Sequence, residues 1–194
     1  YSEEHGREEL QEMVAEDINE LIYVLVERNG IELKDITSVV CSGNTAMMHF
    51  LLGLEASNIR KKPYVPNTTK PPPIRAAEVG IKINPRGLLH FVPAIGGWVG
   101  GDVTSGVLST AIHKSKELTM LADIGTNGEI LIGNEDWMMS CAASAGPAFE
   151  GTGIKSGMRA SKGAIDKVEI TDKGLIYSVI GGGEAKGICG SGLI

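Results

Sequence analysis

The stretch richest in chemistry is Leu121-Ala122-Asp123-Ile124-Gly125-Thr126-Asn127-Gly128-Glu129-Ile130. An apolar run delivers one carboxylate to its tip, and a Gly-rich turn follows at once. Such a turn lets the backbone N–H groups of Gly125, Thr126, Asn127 and Gly128 face phosphate oxygens as an anion-binding nest. Asp123 beside them is placed to hold Mg²⁺ through water or to orient an attacking water. An ordinary hairpin has the same spelling, because Asn-Gly favours tight turns, so both readings stand on spacing alone.

Three weaker signals accompany it. The loop Ala94-Ile95-Gly96-Gly97-Trp98-Val99-Gly100-Gly101-Asp102 opens a helix. Helix N-termini favour anions, so Gly97 is a cofactor-binding candidate and Asp102 a catalytic one. The plainer reading of Asp102 is capping, which is the commoner use of Asp at a helix start. Gly187-Ile188-Cys189-Gly190-Ser191-Gly192, with Gly181-Gly182-Gly183 before it, could bring backbone against an adenine ring or ribose. Gly187, Gly190 and Gly192 are the candidates there. No Gly-Lys-Ser/Thr follows, so this is not a Walker P-loop, and no dinucleotide fingerprint is completed. Glu150, in Ser144-Ala145-Gly146-Pro147-Ala148-Phe149-Glu150-Gly151, is a candidate water-positioning base set against an ordinary turn carboxylate.

Composition narrows the classes. The chain is 42% hydrophobic and 22% charged, with a net charge of −6, an ordinary globular balance without a basic face overall for nucleic acid. Cys41, Cys141 and Cys189 lie far apart without paired spacing, which argues against a zinc knuckle, a cluster ligand set or a disulfide framework and suits a reducing cytoplasm. His5, His49, His90 and His113 are equally scattered, and each reads first as a surface or packing residue. No signal peptide or membrane-spanning run is present. The chain opens at Tyr1 without Met and ends on the apolar Gly192-Leu193-Ile194, so it is expected to be a piece of a longer protein.

The elements that must position these residues follow from periodicity. Leu10, Met13, Val14, Ile18, Leu21, Ile22, Leu25 and Val26 predict a helix over 7–29, stopped by Gly30. Residues 37–41 predict a strand, and Asn44 a cap on a well-buried helix through Gly53. Residues 60–87 hold six of the eight prolines and read as an ordered excursion with a short helix near 75–79. Residues 88–93 predict a strand, and the glycine loop leads into a helix ending near His113. Strands follow at 118–124, 129–132 and 137–143, then a hairpin of 168–170 and 175–180 turned at Asp172-Lys173-Gly174. Helix and strand before residue 115 and a strand meander after it suggest the end of one α/β lobe and the beginning of another.

In this order the pieces resemble the actin, heat-shock chaperone and sugar-kinase superfamily. The implied fold class is α/β: actin-like ATPase (ribonuclease H-like) lobes, mixed sheets with flanking helices, here a partial domain. Residues 1–115 would be the end of a first lobe, with the excursion and the connecting helix. Residues 116–194 would begin the second, with a phosphate hairpin and a glycine-rich adenosine loop. Five blocks bring the resemblance closer still: Ser42-Gly43-Asn44-Thr45-Ala46-Met47-Met48-His49, Arg75-Ala76-Ala77-Glu78, the Asp123 to Glu129 hairpin, Ala145 to Gly151, and Gly187 to Ile194. Together they are similar to the reductive activators of corrinoid proteins, over essentially the whole chain.

That resemblance implies ATP and Mg²⁺ as cofactors, with Asp123 at the metal, and a corrinoid (cobalamin-containing) protein as partner. It implies reduction of Co(II) corrinoid to Co(I) for methyl transfer, and a tendency toward homodimers in the cytoplasm. The electron would come from an iron–sulfur cluster, [2Fe-2S] or another type, on a domain of the parent protein that these residues do not contain. No nucleic acid or membrane is implied. A small-molecule kinase on the same fold and a non-catalytic ATP-sensing scaffold are the competing expectations.

Overall fold

The computed structural model describes residues 6–193 apart from 126, 145, 147–150, 152 and 173. The chain divides into two compact units, Tyr1–Thr119 with Gly133–Met139, and Met120–Ile132 with Ser140–Ile194.

The first unit opens with α1 (Arg7–Asn29), a 23-residue helix. Its helical period brings Val14, Ala15, Ile18 and Ile22 onto one core-facing stripe. Asn19 is buried on the same helix and fully satisfied: Nδ2 donates to the Gly80 carbonyl (2.9 Å), and Oδ1 accepts from the Lys82 N–H (2.7 Å). Gly30 ends the helix at φ 62°, a left-handed conformation that glycine adopts without strain, and its N–H returns to the Val26 carbonyl.

Next come β1 (Ser38–Cys41), α2 (Thr45–Leu51) and a one-turn α3 (Ser57–Arg60). Asn44 caps α2 as the sequence predicts, its side chain accepting the Met47 N–H at 2.9 Å. The helix is less enclosed than its apolar composition suggests. Thr45, Met48, His49 and Leu51 are buried, but Met47 faces outward.

The proline-rich excursion closes through β2 (Ile74–Arg75) and a short helix of the 3-10 type, Ala76–Val79, where the sequence predicts a short helix near 75–79. β3 (Leu88–Phe91) lies at the centre of a three-stranded sheet ordered β1-β3-β2, parallel to β1 and antiparallel to β2. Leu89 at its middle is fully buried with Ala76, Val79, Ile81 and Leu51. The helix α4 (Gly101–Thr110) that follows the glycine loop stops earlier than predicted, because Ala111 turns left-handed at φ 55° and a 3-10 turn, Ile112–Lys114, follows.

The second unit is strand-rich. β4 (Thr119–Ile124), β5 (Asn127–Gly133) and β6 (Met138–Ser144) form one meander in sequence order, their ends running into the first unit. β7 (Ala164–Thr171) and β8 (Gly174–Val179) form the expected second hairpin, with β7 longer than predicted and bulged between Ile165 and Lys167. β9 (Gly187–Ile188) adds to β7 in parallel, and α5 (Gly190–Leu193) closes the segment.

Candidate functional site

The leading hairpin forms as its sequence requires. β4 carries Asp123 one residue before its end, with the side chain exposed. β5 starts at Asn127, so the connection is tighter than the four-residue turn read from 125–128. The Gly125 N–H donates to the Asn127 carbonyl at 2.9 Å, so this amide is used in closing the turn. A Cβ built on Gly125 would meet only the Asn127 carbonyl oxygen, at 3.8 Å, an ordinary contact. Nothing in the described protein requires glycine there. Thr126 and Glu150 lie outside the described residues.

The glycines of the closing segment differ. A Cβ on Gly187 would lie 2.6 Å from the Ser156 carbonyl oxygen, and one on Gly192 2.5 Å from that of Ile165. Both are needed for backbone to pass backbone, whatever ligand is present. Gly190 is buried at the first turn of α5. Cys189, also buried, makes thiol contacts to the Ser191 hydroxyl (3.2 Å) and the Ile165 carbonyl (3.3 Å). The hydrogen bond from the Ser191 hydroxyl holds the Cys189 thiol pKa below its ordinary value, against the opposing effect of burial. In the second unit the candidates therefore fall on two separate sheets: Asp123, Gly125, Asn127 and Gly128 on the β4–β5 hairpin, and Gly187, Gly190 and Gly192 against β7.

In the first unit, Gly97 and Asp102 flank the start of α4. The N–H groups of Gly101 and Asp102 both point at the Gly43 carbonyl (2.9 and 3.3 Å), and Asp102 Oδ1 accepts from the Val103 N–H (2.8 Å). The first amides of α4 are thus met from within the protein, with Asp102 in a local capping role. A Cβ on Gly100 would fall 2.5 Å from Asn44 Cα, and one on Gly101 2.4 Å from the Val92 carbonyl oxygen, which is why the loop runs to consecutive glycines. Gly97 sits close to the Tyr64 carbonyl, 3.1 Å from where its Cβ would be.

Three side chains that brace this loop were not singled out from sequence. Ser42 Oγ donates to the Gly101 carbonyl (3.0 Å) and lies 2.7 Å from Ser105 Oγ, which must then be the donor of that pair. Thr45 Oγ1 donates to the Gly96 carbonyl (2.6 Å). The Ser42 to His49 block contained two of them, Ser42 and Thr45, and nothing in the sequence pointed to Ser105. His49 is a packing residue: its Nδ1 donates to the Thr45 carbonyl at 2.7 Å inside α2, and its buried Nε2 has no partner among the described residues.

Among the described residues no group of three or more His, Cys, Asp or Glu could hold a metal ion, and no helix is long and apolar enough to cross a membrane. Cys41 is half-buried, which raises its thiol pKa, Cys141 is exposed and Cys189 buried.

Comparison with known families settles the kinship. Residues 1–115 match the sequence model of the RACo middle region, and residues 117–194 that of the C-terminal ASKHA domain of RACo. The chain belongs to the RACo family. It is 35% identical over 185 residues to the corrinoid activation enzyme RamQ of Eubacterium limosum, a match covering 95% of this chain and 31% of RamQ. It is 42% identical over 77 residues to the [Co(II) methylated amine-specific corrinoid protein] reductase of Methanosarcina barkeri, covering 40% of this chain and 14% of that protein. A solved reductive activator for corrinoid, iron–sulfur protein superposes with a TM-score of 0.85 at 48% identity, over 97% of this chain and 30% of its own. The chain thus spans about a third of the length of these two longer matches, RamQ and the solved activator. Its fold is the actin-like ASKHA type, as the order of blocks in the sequence implies.

Proposed function

We propose that this chain is the ATPase portion of an ATP-dependent reductive activator, which restores Co(II) corrinoid proteins to Co(I) for methyl transfer. The observation carrying this reading is the β4–β5 hairpin. It has an exposed carboxylate, Asp123, at the strand end and, two residues on, a glycine that no described neighbour requires. That pairing fits an anion brought close to backbone with a cation beside it.

Asp123 holds Mg²⁺ through water or orients the attacking water. Asn127 and Gly128 continue the turn toward the phosphates, and Gly187 to Gly192 form the adenosine side. Mg²⁺ held beside Asp123 would supply positive charge against the phosphates. Residues 1–115 are read as the end of the first lobe and 116–194 as the start of the second. Asp102 and Glu150 are second candidates for ordering water.

The partner is a corrinoid-containing protein, and the whole protein works in the cytoplasm as a homodimer. Low-potential electrons come from an iron–sulfur cluster held elsewhere in the parent. Cys41, Cys141 and Cys189 do not fit one, since among the described residues they belong to no metal-ligating group. A nucleotide can drive such a system only through its different affinities for two conformations.

The test is Asp123→Ala in the full-length protein. ATP turnover should fall by about 10²-fold or more, with cobalt reduction falling in step and the circular dichroism unchanged. Undiminished turnover removes Asp123 from the site. Turnover lost while cobalt reduction persists would mean that the two activities are uncoupled.

A further inference from the structure

The proline-rich excursion has no part in the reading above, yet its composition is unlike the rest of the chain. Between Glu55 and Glu78 there is no acidic residue, while five of the chain's eighteen Lys and Arg fall there: Arg60, Lys61, Lys62, Lys70 and Arg75. All five are exposed, in a protein whose net charge is −6.

Beside this basic segment sits a set of large apolar side chains in water. Tyr64 is 41% exposed, Val65 61%, Ile95 55% and Trp98 53%. Tyr64 and Trp98 meet edge to face, with ring centroids 6.2 Å apart.

The platform is held stiffly. Tyr64 takes a left-handed backbone conformation at φ 64°, which costs a non-glycine residue about 1 kcal/mol or more, and its N–H closes onto the Lys61 carbonyl at 2.6 Å. The Trp98 loop is pinned by Thr45 Oγ1 on the Gly96 carbonyl and by the Ile95 and Gly96 N–H groups on the Val99 carbonyl. Lys70 adjoins the same loop, since its neighbour Thr69 accepts the Ala94 N–H at 2.8 Å. Rigid exposed aromatics beside cations are the composition of a binding hot spot, where little side-chain entropy is left to lose.

We propose that the Tyr64–Trp98 platform, with the basic segment from Arg60 to Lys70, is a docking surface for an acidic face of the corrinoid protein partner. This rests on the activator reading above. The cations supply long-range steering and orientation toward a negative face. The aromatic pair supplies the desolvated anchor that fixes the encounter.

The experiment uses the full-length protein and a corrinoid iron–sulfur protein in its Co(II) state, with binding measured by surface plasmon resonance across a salt series. Wild type should bind less tightly as salt rises. A Lys62→Glu/Lys70→Glu variant should bind about tenfold or more weakly at low salt and show a shallower salt dependence, with ATP turnover in the absence of partner unchanged. Trp98→Ala should lose about tenfold or more at every salt concentration. The charge variant alters only exposed side chains, so it stays readable if Trp98→Ala folds poorly.

Wild-type affinity in both variants, alongside normal cobalt reduction, would overturn the docking surface and leave the activator reading intact. A wild type that neither binds the partner nor reduces its cobalt would overturn both. Retardation of a single-stranded oligonucleotide by wild type, lost in the charge variant, would assign the basic segment to nucleic acid instead and overturn the proposal.

Discussion

The two units of the chain are ordered by different means. In Tyr1–Thr119 with Gly133–Met139, side chains do the work: Leu51, Ala76, Ile81, Leu89, Val103 and Ile112 are all nearly or fully buried, around a sheet and three helices of two turns or more. In Met120–Ile132 with Ser140–Ile194, the buried apolar side chains among the described residues are Leu131, Ala164 and Cys189. Order there comes from backbone passing backbone, as at Gly187 and Gly192, while Ile170, Leu175, Ile176 and Tyr177 remain in water on the β7–β8 hairpin. A unit built on glycine contacts can present bare backbone to a ligand. A unit built on a core can present stiffly held side chains. The hairpin at Asp123 and the platform at Tyr64 and Trp98 follow that division.

The largest effect should come from the core of the first unit. Leu89 is fully buried on the central strand, opposite Val39 on one side and Ile74 on the other. Leu89→Ala removes its packing and leaves a cavity, at a cost of about 2–5 kcal/mol. Both tryptophans, Trp98 and Trp137, belong to this unit, so urea unfolding followed by tryptophan fluorescence reads it directly. A shift well under 1 kcal/mol would mean that the first unit does not depend on this core.

The matching change in the second unit is Gly192→Ala, whose Cβ would lie 2.5 Å from the Ile165 carbonyl oxygen and 2.8 Å from Ile188 Cγ1. Backbone must move to admit it, at a cost of about 1–3 kcal/mol. Far-UV circular dichroism should register the loss as an earlier transition while the tryptophan transition stays in place. If both probes move together, the units melt as one and the contrast drawn between them is structural only.

How much of this was legible beforehand follows the range of the interactions involved. The α1 period, the Gly30 stop, the Asn44 cap and the β7–β8 hairpin depend on residues a few positions apart, and the sequence displays them. The engagement of the α4 amides by the Gly43 carbonyl does not, because it joins segments nearly sixty residues apart. A similar distance hides the reason for Gly100, which is close passage by Asn44, while Gly101 is required by Val92 only nine residues before it, across the turn between β3 and α4. At Gly187 and Gly192, glycine spelling suggested a ligand where the structure supplies a steric cause, and at Gly125 it finds no such cause. Sequence alone cannot separate these two kinds of glycine, since both look like a missing side chain.

A smaller effect tests the local devices of the first unit. Asn44→Ala removes the acceptor for the Met47 N–H, which should cost about 1 kcal/mol and appear in the tryptophan transition. Asn44→Asp keeps an acceptor and should restore most of the loss. Failure of Asp to rescue would show that the loss does not come from the missing acceptor and would overturn the cap reading.

The smallest effect belongs to an exposed ion pair of the second unit. Lys167 and Glu169 lie on the same face of β7, 2.7 Å apart, and both are exposed. The hydrogen bond and charge of Lys167 hold the Glu169 carboxyl below its usual range, and Glu169 raises the Lys167 ammonium above its own. The lowered carboxyl contributes stability above its unfolded pKa and loses it as pH falls through the folded value. The raised ammonium contributes below its unfolded pKa and loses it as pH rises through the folded value. The pair's contribution is therefore flat through neutral pH and disappears at both extremes. Solvent and salt screen it, so Glu169→Gln should leave thermal stability at neutral pH unchanged in physiological salt and alter only the acid and alkaline limbs of the profile. A clear loss at neutral pH would show that the second unit relies on surface charge as well as on its glycine contacts, and the contrast with the first unit would have to be redrawn around electrostatics.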